Sequence, residues 1–283
     1  MPLSPLAARR VTVAFVLVSA CALSVPAQAQ GKLEARYGVS MTGITIGKAA
    51  LSVDIGNGRY ATSVSGRASG LFSVLVNGEG TAAAQGAIKD GRAVPVAYRS
   101  AITRHDEKTE LRMAFDNGAV TDLTAETVPP APDRVPLRDA HRKGIIDPLS
   151  ALLVPMSGAF DVLAADTCNR TLPIFDGRRR YDLKLSFKRM DRVKAEKGYA
   201  GPVVVCAMAF QAQAGHSASS TLIKYLSEGR DMELWFAPIA GTRLIAPFRA
   251  SVPSMLGNVV VQATQFEVLS QTAAASRITG QRP

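Results

Sequence analysis

Hydrophobic and polar residues alternate most strictly between positions 180 and 188. Tyr181, Leu183, Leu185 and Phe187 fall on one side, and Arg180, Asp182, Lys184, Ser186 and Lys188 on the other. A period of two over this length predicts a strand with one face on a core and the other in water. Asp176-Gly177, just before it, is a turn dipeptide. Glycine accepts positive φ, and an aspartate side chain can bond the backbone that follows it. Residues 170–175 are therefore predicted as the first arm of a hairpin. Residues 203–210 form a further strand, with Val204, Cys206, Met208 and Phe210 on one side.

The same reading extends along the chain. Residues 33–53 hold two strands joined at Gly43, and a third follows the Gly56-Asn57-Gly58 turn with Tyr60, Thr62 and Val64 on one face. In residues 69–77, Leu71, Val74 and Leu75 recur at helical spacing and predict a short helix. Residues 78–88 are small and polar, suited to a strand lying close to another backbone. Lys89-Asp90-Gly91 then turns into residues 94–103, and Asp116-Asn117-Gly118 folds the next two strands into a hairpin. The Pro-rich residues 128–136 break the composition and are expected to mark a seam between two sub-sheets. After it, Asp147 can cap a helix, Pro148 suits its first position, and Leu149, Leu152 and Leu153 make an apolar stripe, so a short helix should plug one end of the sheet. Residues 219–227 read as a helical turn or a strand. Residues 232–236, 244–252 and 259–269 are strands, and 271–283 a loose tail.

The pattern predicts a mainly β protein. About a dozen antiparallel strands would form a curved sheet or incompletely closed β-barrel, with two or three short helices. It forms one domain, residues 30–270. Residues 1–29 are set apart as a signal peptide: Arg9 and Arg10 precede an almost wholly apolar run, and Pro26 stands ahead of the small-residue site Ala27-Gln28-Ala29. The expected location is the periplasm. The alternative is a lipoprotein, because Val18-Ser19-Ala20-Cys21 also fits the pattern before a lipid-modified cysteine. Beyond the leader, Cys168 and Cys206 are the only cysteines, and two thiols in an exported chain predict one disulfide.

Charge changes the picture in one respect. Thirty-three Lys and Arg against 23 Asp and Glu give +10, of which the leader accounts for two. A basic exported protein is biased toward anionic partners: lipid, lipopolysaccharide or peptidoglycan, with peripheral membrane contact, and not nucleic acid. Arg178, Arg179, Lys184, Lys188 and Arg192 are the candidate patch for such a partner, Arg being suited to bidentate contact with phosphate or carboxylate. A solvated turn is the plain alternative. His105, His141 and His216 lack metal-ligand spacing, no cofactor motif is present, and Trp235 between Leu234 and Phe236 reads as core.

Tyr37 with Gly43-Ile44-Thr45-Ile46-Gly47, Gly70-Leu71, Gly86, Val94-Pro95, Asp147-Pro148 and the segments FDGRRRYDL and MELWFAPIAG resemble an exported proteobacterial family catalogued as domain of unknown function 3108. The resemblance implies a β-rich envelope protein and supplies no catalytic residues. The function expected is non-enzymatic: binding of a lipid-like or polymeric anionic envelope component in support of envelope integrity. The alternative is an envelope hydrolase or transferase whose acid and base come from separate strands.

Overall fold

The computed structural model describes residues 30–69, 78–104, 107–125, 132–157 and 163–269. The first half supplies β1 (Gly31–Met41), β2 (Ile44–Gly56), β3 (Arg59–Ala68), β4 (Gly78–Lys89), β5 (Arg92–Arg104), β6 (Glu107–Asp116) and β7 (Ala119–Ala125). The second supplies β8 (Val154–Pro155), β9 (Arg170–Phe175), β10 (Arg180–Lys194), β11 (Lys197–Gly198), β12 (Ala200–Ala214), the helix α1 (Thr221–Ser227), β13 (Met232–Pro238), β14 (Leu244–Ser254) and β15 (Gly257–Leu269). One α-helix and three short 3-10 turns, at Asp139–Arg142, Ser150–Leu152 and Ala165–Cys168, are the helical content of the described residues.

All of these strands belong to one sheet in the order β7-β6-β5-β4-β3-β2-β1-β15-β14-β13-β12-β10-β9, with β8 added to β14 and β11 parallel to β15. The other pairings are antiparallel. The first and last strands thus pair at the middle of the sheet, from Lys32–Leu269 to Met41–Val259, and mid-chain strands form both edges. That pairing makes the sheet continuous, where the composition break at residues 128–136 suggested a seam; residues 128–131 of that break lie outside the described ones. The predicted helix at 69–77, the expected leader with Cys21, and the tail also lie outside them, apart from Ser69.

Hairpin chemistry accounts for the first half. Thr42-Gly43, Asn57-Gly58, Asp90-Gly91 and Asn117-Gly118 each have positive φ at both residues. That is the turn whose twist matches paired strands. Gly86 answers to close packing: a Cβ there would lie 2.1 Å from the Val94 carbonyl oxygen and 2.8 Å from the Tyr60 ring.

The edge strands β7 and β9 do not pair with each other. Residues 143–146 bridge them instead. The Ile145 N–H donates to Gly118 O at 3.0 Å, the Ile146 N–H to Pro173 O at 2.9 Å, and the Phe175 N–H to Ile146 O at 3.0 Å. Residues 145–153 then plug the neighbouring end of the sheet as a 3-10 turn rather than an α-helix. Ile145, Leu149 and Phe175 pack on Tyr98, Leu111, Met113 and Phe115. Leu153 joins Leu33, Val53, Tyr60, Val205, Trp235, Phe248 and Phe266 in the main core.

The sheet is covered on both sides at β12–β14. Val203 and Val205 face the main core, while Val204 and Cys206 face a second cluster with Leu172, Leu185, Phe236, Ile245 and Met156. Strict alternation in β12 therefore marks two buried faces. A disulfide joins Cys168 to Cys206. It pins the turn Ala165–Cys168 onto that second cluster.

A further sequence expectation fails. Phe187 is 40% exposed rather than core. β9 pairs with β10 only as far as Leu185, so beyond that residue β10 is an edge strand. A bulge between Phe187 and Arg189 also ends the alternation.

Candidate functional site

Among the described residues the interior is full at the plugged end and hollow at the other, and the side chains facing inward explain why. Three cross-strand rows run from β3 through β4 and β5 to β6. The row nearest the plug is Thr62, Ala84, Tyr98 and Met113. The next is Val64, Ala82, Ser100 and Leu111, and the third is Gly66, Gly80, Ile102 and Thr109. Side-chain bulk falls toward the open end, and two glycines stand side by side in the last row. Packed interiors leave few voids larger than a water molecule, so a hollow survives where such small residues lack large partners opposite.

The hollow has a volume of about 580 Å³, within the range of small-molecule sites. Its walls are Val64, Ala82, Tyr98, Ile102 and Leu111, and Ile102 stands 48% exposed at its mouth. Burial pushes the Tyr98 hydroxyl above the usual range, so it is neutral. Across the mouth lies the Asp176–Arg179 turn. The Asp176 carboxylate accepts from the Arg178 N–H at 2.9 Å and the Arg179 N–H at 2.6 Å. Gly177, with φ of 89°, lies so close to Leu111 that a Cβ would meet Leu111 Cδ1 at 2.2 Å. Asp176 is thereby committed to its own turn, and the turn carries Arg178 and Arg179 to the lip of the hollow, opposite Arg104. Among the described residues no carboxylate pairs with Arg178 or Arg179 and no side-chain acceptor reaches the buried Arg178 Nε. Asp176 and Glu107 are the acidic residues of the lining.

The five basic residues singled out in the sequence do not form one patch. Only Arg178 and Arg179 reach the cavity. Arg180 and Arg192 begin and nearly end β10; twelve extended residues at about 3.3 Å each separate them by roughly 40 Å. Lys184 and Arg192 are exposed along the strand. Lys188 is neutralised, lying 2.6 Å from Asp231 and in contact with Glu233, whose hydrogen bonds raise its ammonium above the usual range.

Glu233 also holds Arg189 through both guanidinium nitrogens, at 3.0 and 3.3 Å. Burial alone would push the Glu233 carboxyl up, but the Arg189 and Lys188 hydrogen bonds and charges together hold it below the usual range. Arg189 and Arg249 lie over the Trp235 ring at 5.3 and 4.9 Å. Trp235 is core, as its neighbours suggested, but clamped by two arginines that single-residue reading could not place.

Asp147, expected to cap a helix, does hold the backbone N–H groups that open the 3-10 turn, and it does so as a buried acid. Asp147 has no exposed surface, and its Oδ1 accepts from Leu149 N–H and Ser150 N–H, both at 2.9 Å. Ser150 Oγ bonds Asp147 Oδ2 and lies 2.5 Å from the Tyr60 hydroxyl. Burial raises the Asp147 carboxyl above its ordinary value against these donors. Ser150 and Tyr60 are each 2% exposed, so this acid–hydroxyl chain offers a substrate no surface. It closes the plug. His141 Nδ1 accepts from the Arg138 N–H at 3.0 Å, His105 lies outside the described residues, and among the described residues no three His, Cys, Asp or Glu side chains cluster as metal ligands. No described helix is long and apolar enough to cross a membrane.

These features define an open, barrel-like antiparallel sheet, sealed at one end and hollow at the other. Residues 34–264 match the family described as protein of unknown function (DUF3108), and the chain belongs to that family. No curated protein matches it. Similar solved structures include a beta-barrel-like protein of domain of unknown function DUF1849 from Brucella abortus, 9% identical with a TM-score of 0.44, over 86% of this chain and 99% of that one. A candidate lipoprotein from Parabacteroides distasonis is 10% identical with a TM-score of 0.29, over 85% and 96%.

Proposed function

We propose that the protein is a non-enzymatic component of the cell envelope, exported to the periplasm by residues 1–29, that holds an anionic lipid-like molecule and so supports envelope integrity. The observation that carries this reading is the hollow of about 580 Å³ with Val64, Ala82, Ile102 and Leu111 in its walls beside Ser100 and Thr109, and with Arg104, Arg178 and Arg179 at its lip. An acyl chain fits against Val64, Ala82, Ile102 and Leu111, where burial of apolar surface favours it. Its acidic head fits at Arg178 and Arg179, whose guanidinium groups form no ion pair among the described residues. Guanidinium groups bind phosphate or carboxylate in two-point contact, and more strongly where water is partly excluded.

Native mass spectrometry of protein purified gently from its host tests the reading. An anionic amphiphile is expected to co-purify, to exchange with added anionic phospholipid in preference to a zwitterionic one, and to be lost both in Arg178→Glu/Arg179→Glu and in the pocket-filling Ala82→Leu. Empty protein that takes up no lipid, or equal loading of the wild type and both variants, would refute it.

A further inference from the structure

The two ends of the sheet carry different turns. At the plugged end the β2–β3, β4–β5 and β6–β7 turns are Asn57-Gly58, Asp90-Gly91 and Asn117-Gly118, the polar residues that tight hairpins favour. At the hollow end the two-residue β14–β15 turn is Met255-Leu256, exposed by 59% and 77%. Beside it Ile44, just after the β1–β2 turn, is 53% exposed, and Leu222 on α1 is 49% exposed. Turn geometry calls for none of these side chains, and no described element covers them.

They stand together. The Thr42 N–H donates to Asn258 O at 3.1 Å, tying the Ile44 turn to the Met255-Leu256 turn. The Tyr225 hydroxyl donates to Ser254 O at 3.3 Å, tying α1 to the same turn, with Leu222 one helical turn from Tyr225. This is also the end at which the hollow opens: Gly47 at the start of β2 pairs with Ala68, where β3 ends, and Gly78 pairs with Arg104 at the mouth.

Charge selects the occupant. Residues 41–48, 218–227 and 251–258, which build these tips, contain Lys48 and Lys224 and no acidic residue, and Glu228, which caps the end of α1, is paired with Arg230. Large apolar side chains at protruding turns, flanked by lysine and free of carboxylates, suit the boundary between headgroups and acyl chains of an anionic bilayer. A soluble protein partner would give no reason to exclude acids from all three segments.

We propose that this rim docks on an anionic membrane surface, with Met255, Leu256, Ile44 and Leu222 entering the acyl boundary and Lys48 and Lys224 meeting the headgroups. None of these six residues lines the hollow, so the inference goes beyond the pocket reading and fails or stands apart from it. Docking on this rim presents the mouth of the hollow to the bilayer.

Flotation of the full chain with phosphatidylglycerol-containing vesicles, against phosphatidylcholine vesicles, is the test. Binding to the anionic vesicles is expected. Met255→Asp/Leu256→Asp should weaken it by about a hundredfold, as two large apolar side chains stay in water. Lys48→Glu/Lys224→Glu should weaken it by roughly tenfold or more and reduce its salt dependence. Val96→Asp, at an equally exposed apolar residue (51%) outside the rim, should bind as the wild type does. Because these residues are exposed, folding is preserved, and a second probe checks insertion directly. Leu256→Trp should show blue-shifted emission and quenching by brominated lipid, against a constant background from Trp235, which is buried. Undiminished binding by the tip variants, loss in Val96→Asp to the same extent, or an unshifted Leu256→Trp spectrum on vesicles that bind the protein would overturn the proposal.

Discussion

Breaking the bridge between Cys168 and Cys206 should cost most of a marginal protein's stability, and the cost can be worked from its place in the chain. The cysteines lie 38 residues apart. In the chain-entropy model a loop of that length restricts the unfolded ensemble by about 13 cal/mol/K, or about 3.9 kcal/mol at 25 °C. Both cysteines are fully buried among Leu185, Val204 and Phe236, so Cys168→Ala/Cys206→Ala adds a packing loss of order 1–2 kcal/mol. Wild type reduced in urea and refolded under reducing conditions keeps the sulfur atoms and isolates the first contribution. Equilibrium urea unfolding should place it about 3–4 kcal/mol below the oxidised protein, with thermal unfolding roughly 8–15 °C lower. Its m-value should rise, because an unbridged unfolded chain exposes more surface. The double variant should fall further. If the reduced wild type lies within about 1 kcal/mol of the oxidised one, and only the alanine variant is destabilised, the cysteines act by packing and the loop argument is wrong.

Leu185→Ala should cost roughly 2–5 kcal/mol in the same assay, whereas Phe187→Ala, at a residue 40% exposed on an edge, should cost much less; equal losses would mean that β10 is covered beyond β9. For Asp147 the sign follows from its raised carboxyl: the folded state holds the proton more tightly than the unfolded one, where the pKa is about 4. Its contribution is therefore fully present below about pH 4 and lost as pH rises through the folded value. Asp147→Asn should remove that decline, so the wild-type advantage over Asn should shrink with rising pH; an advantage that grows with pH would mean that the three hydrogen-bond donors outweigh burial.

What the sequence made legible is what short range decides. Asn117-Gly118 and Asp90-Gly91 specify hairpins because positive φ at two successive residues is a local demand, and Asp176 announces its turn for the same reason. The disulfide was legible because only two cysteines follow residues 1–29, which were expected to be a leader. The pairing of β1 with β15 is not encoded in any window, since Tyr37 and Ala263 meet only after the intervening chain has folded. The hollow was hidden for a related reason. Gly66 and Gly80 are unremarkable singly, and become a gap only when register sets them beside each other. Arg178 and Arg179 were singled out correctly as residues at a turn, but alternation along β10 suggested a continuous basic surface. In the fold, Lys188 is tied up by Asp231 and Glu233, acids that lie more than forty residues further along the chain.

The asymmetry between the two ends gives these parts a common direction. At the plugged end Asp147 satisfies the backbone of residues 149 and 150, so that the turn carrying Leu149 and Leu153 can enter the core without orphaned N–H groups. A buried carboxyl is a costly way to achieve this unless the end must stay dry. At the hollow end the described chain puts across the opening only the Asp176–Arg179 turn, rigid because its aspartate holds two backbone N–H groups. Under the proposed reading, a ligand of the hollow would enter between Ile102 and the two arginines, on the side of the sheet that also carries Leu256 and Ile44. An amphiphile leaving a bilayer would meet apolar contact first and the guanidinium groups as its head follows, without its chain crossing bulk water. Each CH₂ kept out of water along that path avoids about 0.8 kcal/mol. Exchange of the bound molecule should accordingly be faster with docked vesicles than with the same lipid presented below its aggregation concentration. A rate independent of vesicles would separate the pocket from the rim and leave each to be explained alone.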